Sequence, residues 1–203
     1  NKALKGSVPW KGKVAIDLPY HASPTYNVEL NGDLKNVSSH LPSPLDKPAG
    51  AVLPVNVVAK GDLKHFDLTA RAGDSGRFNS RWLWGEKLRL DRAIWVTDSK
   101  TQPTLPQNGG IELNLPPLDG GEWLALFQQG AAQEVSQSTQ LPQAVTLRTP
   151  ALMLGGQRWN NLSLMSQSVS GGTRVSVQGR ELNGTLTMRD NATWQADINY
   201  LYY

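Results

Sequence analysis

Apolar and polar residues alternate along most of this chain, and no other feature of the sequence restricts the fold as strongly. From Trp10 to residue 18 the even-numbered positions are mostly apolar, while Lys11, Lys13 and Asp17 lie between them. The same alternation recurs in most later segments. A period of two places successive side chains on opposite faces of a β-strand. The sequence therefore predicts a mainly β protein, built on a long antiparallel twisted sheet whose strands are apolar on one face.

Turn-forming residues separate the alternating segments. Glycine (19) and proline (13) are frequent, and the pairs Gly155-Gly156 and Gly171-Gly172 fall between alternating stretches. Such pairs favour tight turns between neighbouring strands. With 203 residues the chain is long enough to bury a core. We therefore expect a meander of strands joined mainly by short turns.

One segment, 31–50, departs from the strand pattern. It contains three prolines and, at 32–35, the sequence GDLK, which occurs again at 61–64. Proline has no amide donor, so the proline-containing part cannot join the middle of a sheet. We interpret 35–50 as a crossover loop inside a β unit at 1–97. A linker and helical insertion follow at 98–144, and further strands at 145–203.

A second departure follows Pro116 and Pro117, in the run LDGGEWLALFQQGAAQEV. Asp119 fits a helix N-cap, and Glu122 follows at the capping-box position. Apolar residues then recur at helical spacing. The sequence predicts one inserted amphipathic helix at 119–134, and its apolar side includes Trp123, Leu124, Leu126 and Phe127.

Residues that perform catalysis or bind metals are sparse. The chain has no cysteine, and its three histidines, His21, His40 and His65, share no short motif. No motif for a nucleophilic serine, a phosphate-binding loop or a zinc site is present. The net charge is only +3, and the basic residues are scattered. The sequence therefore predicts no enzyme, no cofactor, no metal site and no nucleic-acid partner.

Two further observations concern binding and location. The run Trp159-Asn160-Asn161 is a candidate for sugar binding, because it places an aromatic ring beside amide groups. No stretch reaches the roughly 20 apolar residues that a bilayer-spanning helix needs. The chain has no initial methionine and ends on Tyr202 and Tyr203, so we interpret it as a fragment of a longer protein.

A family resemblance covers most of the chain in the right order. It is carried by the stretches NGDLKNVSSHLPSPLDKPAG, LPPLDGGEWLAL, LRTPALMLGGQRWNNLSL, and GRELNGTLTM followed by WQADINYLYY. Together they resemble the C-terminal part of a large AsmA-like envelope protein of Gram-negative bacteria. That family is similar to the bridge-like lipid transfer proteins, which are built from repeating β-groove units.

The resemblance implies a sheet folded along its length into a groove, also called a β-taco. Its apolar concave face would carry glycerophospholipid between the inner and the outer membrane. This fragment would then be a periplasmic part of a protein anchored in the inner membrane, near the end that approaches the outer membrane. Outer-membrane lipid or an envelope protein is a further expected partner. The predicted groove lining is Val14, Ile16, Leu18, Tyr26, Val28, Leu30, Leu34, Phe66, Leu68, Leu88, Leu90, Ile94 and Val96.

The alternation by itself leaves other structures open. Strands with one apolar face also form closed barrels and two-sheet sandwiches, whose apolar rows pack against each other and carry no ligand. The helix at 119–134 fits either a cap at the end of the groove or a membrane contact. A protein-interaction or glycan-binding β domain at the outer-membrane end is the alternative function.

Overall fold

The computed structural model describes residues 4–74, 76–123, 125, 139–140, 144–189 and 193–202. A 3₁₀ turn, η1, lies at Leu34–Asn36. The strands are β1 (Leu4–Lys5), β2 (Trp10–Asp17), β3 (Thr25–Asp33), β4 (Ser38–His40), β5 (Asp46–Lys47), β6 (Pro54–Gly61), β7 (His65–Ala72), β8 (Gly76–Leu83), β9 (Leu88–Val96), β10 (Gly110–Asn114), β11 (Leu118–Asp119), β12 (Thr139–Gln140), β13 (Ala144–Leu154), β14 (Gln157–Val169), β15 (Gly172–Gln178), β16 (Leu182–Arg189) and β17 (Trp194–Leu201).

Nearly all the strands belong to one sheet. Its order is β17-β16-β15-β14-β13-β10-β9-β8-β7-β6-β3-β2, with β11 beside β13 and β12 beside β9. The predicted mainly β fold is confirmed. Because β2 and β17 end the order at opposite edges, the described sheet is open and is not a closed barrel.

The centre of the sheet is parallel, so the expectation of an antiparallel sheet throughout is wrong there. β10 runs parallel to both of its neighbours, β9 and β13. Short turns force neighbouring strands to be antiparallel, whereas a parallel pair needs a longer crossover. The links 97–109 and 115–143 provide that length on either side of β10.

The link at 97–109, which we call the strap, crosses one face of the sheet. Arg77 Nη2 donates hydrogen bonds to the carbonyl oxygens of Asp98 (2.9 Å) and Thr101 (2.8 Å). Asn79 Nδ2 donates to the Pro103 oxygen at 2.8 Å, and Arg92 Nη1 to the Pro106 oxygen at 3.1 Å. Arg77, Asn79 and Arg92 therefore place the strap on the face of the sheet to which they belong.

A β-bulge sets which residues of β9 lie under the strap. Trp82 pairs with Leu90 and Arg81 pairs with Arg92, so Asp91 is an extra residue in β9. The extra residue reverses the alternation of faces. Ile94 and Val96 consequently face the strap side, where they are 4% and 0% exposed.

The segment between β3 and β6 forms structure of its own. Its strands β4 and β5 join β1 in a separate three-stranded sheet. The Asp33 carboxylate accepts hydrogen bonds from the backbone N–H groups of Lys35 (2.9 Å) and Leu53 (3.0 Å), and so ties the two ends of the segment together. Leu34 lies in η1 and not in β3, which removes it from the strand row in which it was predicted.

The predicted start of the helix is confirmed. Residues 120–123 and 125 are helical, and the Asp119 carboxylate accepts hydrogen bonds from the N–H groups of Gly121 (2.9 Å) and Glu122 (3.1 Å). The Trp123 indole donates to the Ser43 carbonyl oxygen at 3.0 Å. The helix start therefore contacts the proline-containing segment. Leu124, Leu126 and Phe127 lie outside the described residues.

The buried apolar side chains concentrate in the middle strands and their links. They are Leu90, Ala93, Ile94, Val96, Leu115, Leu118, Ala151 and Leu162. Among the described elements, every extensive contact between strands joins hydrogen-bonded neighbours of the same sheet. The described core is therefore local to the centre, and the residues of the edge strands β2 and β17 are almost all exposed.

Candidate functional site: an apolar sheet face

One face of the main sheet carries a mostly apolar row that crosses the twelve strands of the continuous path from β2 to β17 and leaves out only β11 and β12. Residues directly opposite each other on neighbouring strands project to the same face. Following these pairs across the sheet gives the central row Val14, Val28, Ala59, Leu68, Ser80, Ala93, Ile111, Val145, Ser166, Val175, Leu186 and Ala196.

A second row on the same face is also apolar. It consists of Gly12, Leu30, Val57, Ala70, Phe78, Trp95, Leu113, Leu147, Leu164, Val177, Gly184 and Ile198. We call the face that carries these two rows the apolar face. The opposite side, which carries Arg77, Asn79 and the strap, is the polar face. The alternation in sequence thus becomes a continuous apolar surface running across the strands.

Polar atoms on the apolar face bond to each other. Trp82 Nε1 donates to the Ser80 hydroxyl oxygen at 2.8 Å, and the Ser80 hydroxyl donates to the Leu68 carbonyl oxygen at 3.3 Å. Trp84 Nε1 donates to the Tyr26 hydroxyl oxygen at 3.2 Å. Because an unpaired polar group is costly to cover with hydrocarbon, these bonds lower that cost for an apolar ligand that covers these four side chains.

Aromatic rings cluster at one end of the apolar face. The Phe66 ring stacks on Trp82 with centroids 6.1 Å apart, and tilts against Trp84 at 5.2 Å. Tyr26 joins the group through its bond to Trp84. This aromatic cluster lies at the end of the sheet formed by the β6–β7 and β8–β9 turns.

The apolar face is most open at the two edge strands. Val14 and Ile16 on β2 are 67% and 65% exposed, and Trp194 and Ile198 on β17 are 65% and 59% exposed. Between them the apolar residues are mostly half-buried by their neighbours in the sheet.

Most of the predicted lining residues lie on the apolar face, but Leu18, Ile94 and Val96 do not. The apolar face includes those that pair across it: Val14, Ile16, Tyr26, Val28, Leu30, Phe66, Leu68 and Leu90. Leu88, two residues before Leu90 in β9, belongs to the same face by alternation. Leu18 lies in the turn after β2 and is 73% exposed. The prediction that Ile94 and Val96 share the row of Leu90 is wrong, because the bulge at Asp91 turns them to the polar face.

Other residues of the apolar face were absent from the predicted lining. They include Val57, Leu113, Leu147, Leu164 and Val177. The same alternation marks these positions in the sequence. Only the pairing of the strands shows that they share a face with Leu30.

The polar face is held by ionic and amide contacts. Asp67 accepts two hydrogen bonds from Arg81, at 2.7 and 2.8 Å. These bonds, helped by the Arg81 charge and opposed by burial, hold the pKa of Asp67 below its ordinary value. Near β3, Asn56 Nδ2 donates to Glu29 at 3.0 Å and to Asn31 at 2.8 Å. The charged and amide side chains of the polar face are therefore compatible with contact with water.

The polar groups of the candidate sugar-binding run, Trp159-Asn160-Asn161, form hydrogen bonds within the protein. The side chain and backbone N–H groups of Asn160 both donate to Glu181, each at 2.7 Å. The Asn160 side-chain bond, followed by the backbone bond, lowers the pKa of Glu181. The Trp159 indole donates to the Leu154 carbonyl oxygen at 3.2 Å. These contacts join the β13–β14 and β15–β16 turns and leave little of Asn160 for a sugar.

Reactive groups are not clustered in the described part of the chain. No group of three or more histidine, aspartate or glutamate side chains within it is placed to hold a metal ion. His65 instead contacts the Asp62 carboxylate at 3.3 Å, and His21 packs edge-on against Tyr20. Nor does any helix among the described residues have the length and apolarity needed to cross a membrane.

The fold and the face define an open β-sheet protein with one apolar face. The sequence profile of the family described as "YhdP protein" matches residues 1–203, and the chain belongs to that family. The chain is 64% identical over all of its 203 residues to the "Intermembrane phospholipid transporter YhdP" of Escherichia coli strain K12, and spans 16% of that protein's length. No solved structure matches the chain.

Proposed function

We propose that this chain is a non-enzymatic segment of a phospholipid transporter, and that acyl tails lie along its apolar face. The observation that carries the proposal is the apolar row that crosses the twelve strands of the continuous path from β2 to β17. The named function of the Escherichia coli relative supports it. In this proposal the apolar face is the inside of a groove, and the glycerophospholipid moves across the strands along the rows.

The energetics of the tails favour such a surface. Moving a methylene group from water to an apolar environment gains roughly 0.8 kcal/mol, so a two-tailed lipid with about 30 methylenes gains on the order of 24 kcal/mol. A carrier must offset nearly all of this when it takes the lipid from a bilayer. An extended apolar surface does so without reactive groups, and the hydrogen bond from Trp82 to Ser80 satisfies the Trp82 indole beneath the tails.

The amended groove lining follows from the strand pairing. We propose the two apolar rows together with Ile16, Tyr26, Phe66, Trp82, Leu88 and Leu90. Trp123 lies beside the proline-containing segment, and we place both at the end of the groove as a cap. The chain would act in the periplasm, within a parent protein held in the inner membrane.

A pair of photo-crosslinking positions on one strand tests the proposal. Val28 lies in the central apolar row, and its neighbour Asn27 lies on the polar face. A crosslinking residue at Val28 in the parent protein in cells is expected to trap phospholipid, and the same residue at Asn27 is not. Crosslinks only from Asn27 would reverse the face assignment. Absence of lipid crosslinks from both positions would refute the groove.

A second candidate function rests on the contact between Trp123 and Ser43. It combines the helix start and the proline-containing segment into one surface, to which His40, Pro42 and Glu122 also contribute. We propose this surface as the alternative, a docking site for an envelope protein. A stoichiometric protein partner that is lost on Trp123→Ala while lipid crosslinking at Val28 persists would favour it.

A further inference from the structure

A depression at the turn between β8 and β9 collects cationic side chains. Its volume is about 590 Å³, and Lys64, Lys87 and Arg89 line it together with Glu86 and Trp84. Lys64 comes from the neighbouring β6–β7 turn. Arg89 is the second residue of β9 and pairs with Leu83 on the polar face, so the hollow lies at the end of the sheet, where side chains from both faces meet.

These three cations lack ion-pair partners among the described residues. The ion pairs of that part of the chain involve His65, Arg81, Arg92 and Arg148. Asp62, the nearest acid on the Lys64 turn, accepts hydrogen bonds from the backbone N–H groups of Lys64 (2.7 Å) and His65 (3.0 Å). Glu86 is the single carboxylate that lines the hollow, so the net charge of the hollow is positive.

Trp84 joins the depression to the apolar face. It lines the hollow and is 49% exposed. Its ring also lies 5.2 Å from Phe66, and its Nε1 bonds to Tyr26, both on the apolar face. Tryptophan commonly lies where apolar and aqueous surroundings meet. A ligand whose apolar part covered Phe66 would have its polar end beside this hollow.

We infer that Lys64, Lys87 and Arg89 bind the phosphate of a glycerophospholipid head group whose tails lie on the apolar face. The inference rests on the proposed lipid-binding function and adds a polar contact to it. Lysine and arginine side chains are strong donors to phosphate oxygens, and the site lies beside an apolar surface. The remainder of the head group projects into water, so the site recognises the phosphate and not the group attached to it.

A competition between two lipids with identical tails tests this inference. The purified chain is incubated with vesicles of phosphatidylglycerol that contain about a tenth of diacylglycerol, which lacks the phosphate. Native mass spectrometry then gives the total bound lipid and the ratio of the two species. The test variant is Lys64→Ala/Lys87→Ala/Arg89→Ala. The matched control, Lys35→Ala/Lys100→Ala/Arg180→Ala, removes equal charge at the other end of the sheet.

We expect the wild-type chain to enrich phosphatidylglycerol over its share in the vesicles. The test variant should lose this enrichment by roughly fivefold for each cation removed, because a basic residue near an anionic lipid contributes about that much. Its total bound lipid should stay close to wild type, and the control variant should keep the wild-type ratio.

The other outcomes separate the two proposals. An unchanged ratio in the test variant, or an equal fall in the control, overturns the phosphate site and leaves tail binding intact. Binding of inorganic phosphate alone that the wild-type chain shows and the test variant loses, with the same lipid ratio in both, would assign the hollow to a free anion and overturn the lipid assignment. If wild type binds no lipid at all, the proposed function itself fails, and the inference with it.

Discussion

A carboxylate placed on the apolar face should expel lipid, whereas one on the next residue should not. Leu164 and Met165 are neighbours on β14 and are both large and apolar. Leu164 lies in the row between Leu147 and Val177, and Met165 lies on the polar face, where it is 39% exposed. The variants Leu164→Asp and Met165→Asp therefore make the same chemical change on opposite faces.

The magnitude follows from the surroundings of each side chain. An aspartate surrounded by hydrocarbon costs roughly 2.5 to 3.5 kcal/mol, which corresponds to about a 70- to 400-fold loss of lipid at that position. Leu164→Asp should also lower the free energy of unfolding by about 1 to 2 kcal/mol, because Leu164 is half-buried. Met165→Asp should change both quantities little, since Thr146 and Ser176 flank it and neither carries charge.

Photo-crosslinking of lipid at Leu147, together with urea unfolding of both variants, checks this reasoning. The crosslink should be lost in Leu164→Asp and retained in Met165→Asp. Retention of the crosslink in both variants would mean that tails do not lie on this face. Equal loss in both, with equal unfolding midpoints, would mean that the two faces contribute alike, which contradicts the groove.

Three further predictions concern the sheet itself. Asp67→Asn should lower stability by less than about 1 kcal/mol at pH 7, since the Arg81 pair is partly exposed. Folding lowers the pKa of Asp67, so its contribution to the free energy of unfolding is fully present above the ordinary aspartate pKa of about 3.9. That contribution should be lost as the pH falls through the pKa of the folded carboxylate. Unfolding curves at pH 7 and pH 2.5 test this. Deleting Asp91 should cost roughly 3 kcal/mol or more in urea unfolding, because the buried residues after it must change faces. Asp91→Asn keeps the bulge and weakens only the 2.7 Å ion pair with Arg92, so it should cost clearly less. Ser80→Ala should cost about 1 to 2 kcal/mol by leaving the Trp82 indole without an acceptor, and adding Trp82→Phe should recover part of that loss; additive costs would contradict the bond.

Period two predicted the strands well because it depends only on which side chains meet water. Val14 and Val28 on the apolar face, and Lys13 on the opposite face, all follow from it. Asp119 likewise marked the start of the helix, since capping is a local interaction between neighbouring residues.

The faces of β9 could not be predicted from the alternation. A bulge adds one residue and reverses the alternation, and Arg92 within an apolar stretch was its visible sign. Ile94 and Val96 look like a continuation of Leu90 until the pairing with β8 is known. They are buried on the face that the strap crosses. The strap is held there by Arg77 and Asn79, which lie more than 20 residues before the strap residues that they contact.

The parallel position of β10 was equally hidden. The strand is short and lies between two irregular links, so its own residues do not indicate the direction of its neighbours. Which rows lie side by side is decided by that pairing. The sequence thus predicts which residues of each strand are apolar and alternate, but it does not predict which strands, and therefore which residues, lie next to each other on the face.

The position of the strap has a consequence for how this sheet can change over evolution or in the laboratory. A parallel pair of strands requires a connection across one side of the sheet, and here that connection lies on the side that carries Arg77 and Asn79. Extra residues at the exposed tip of the strap, near Gln107 and Asn108, would extend into water. Length variation and inserted reporter domains at this site should therefore be tolerated, while the width of the opposite surface stays constant.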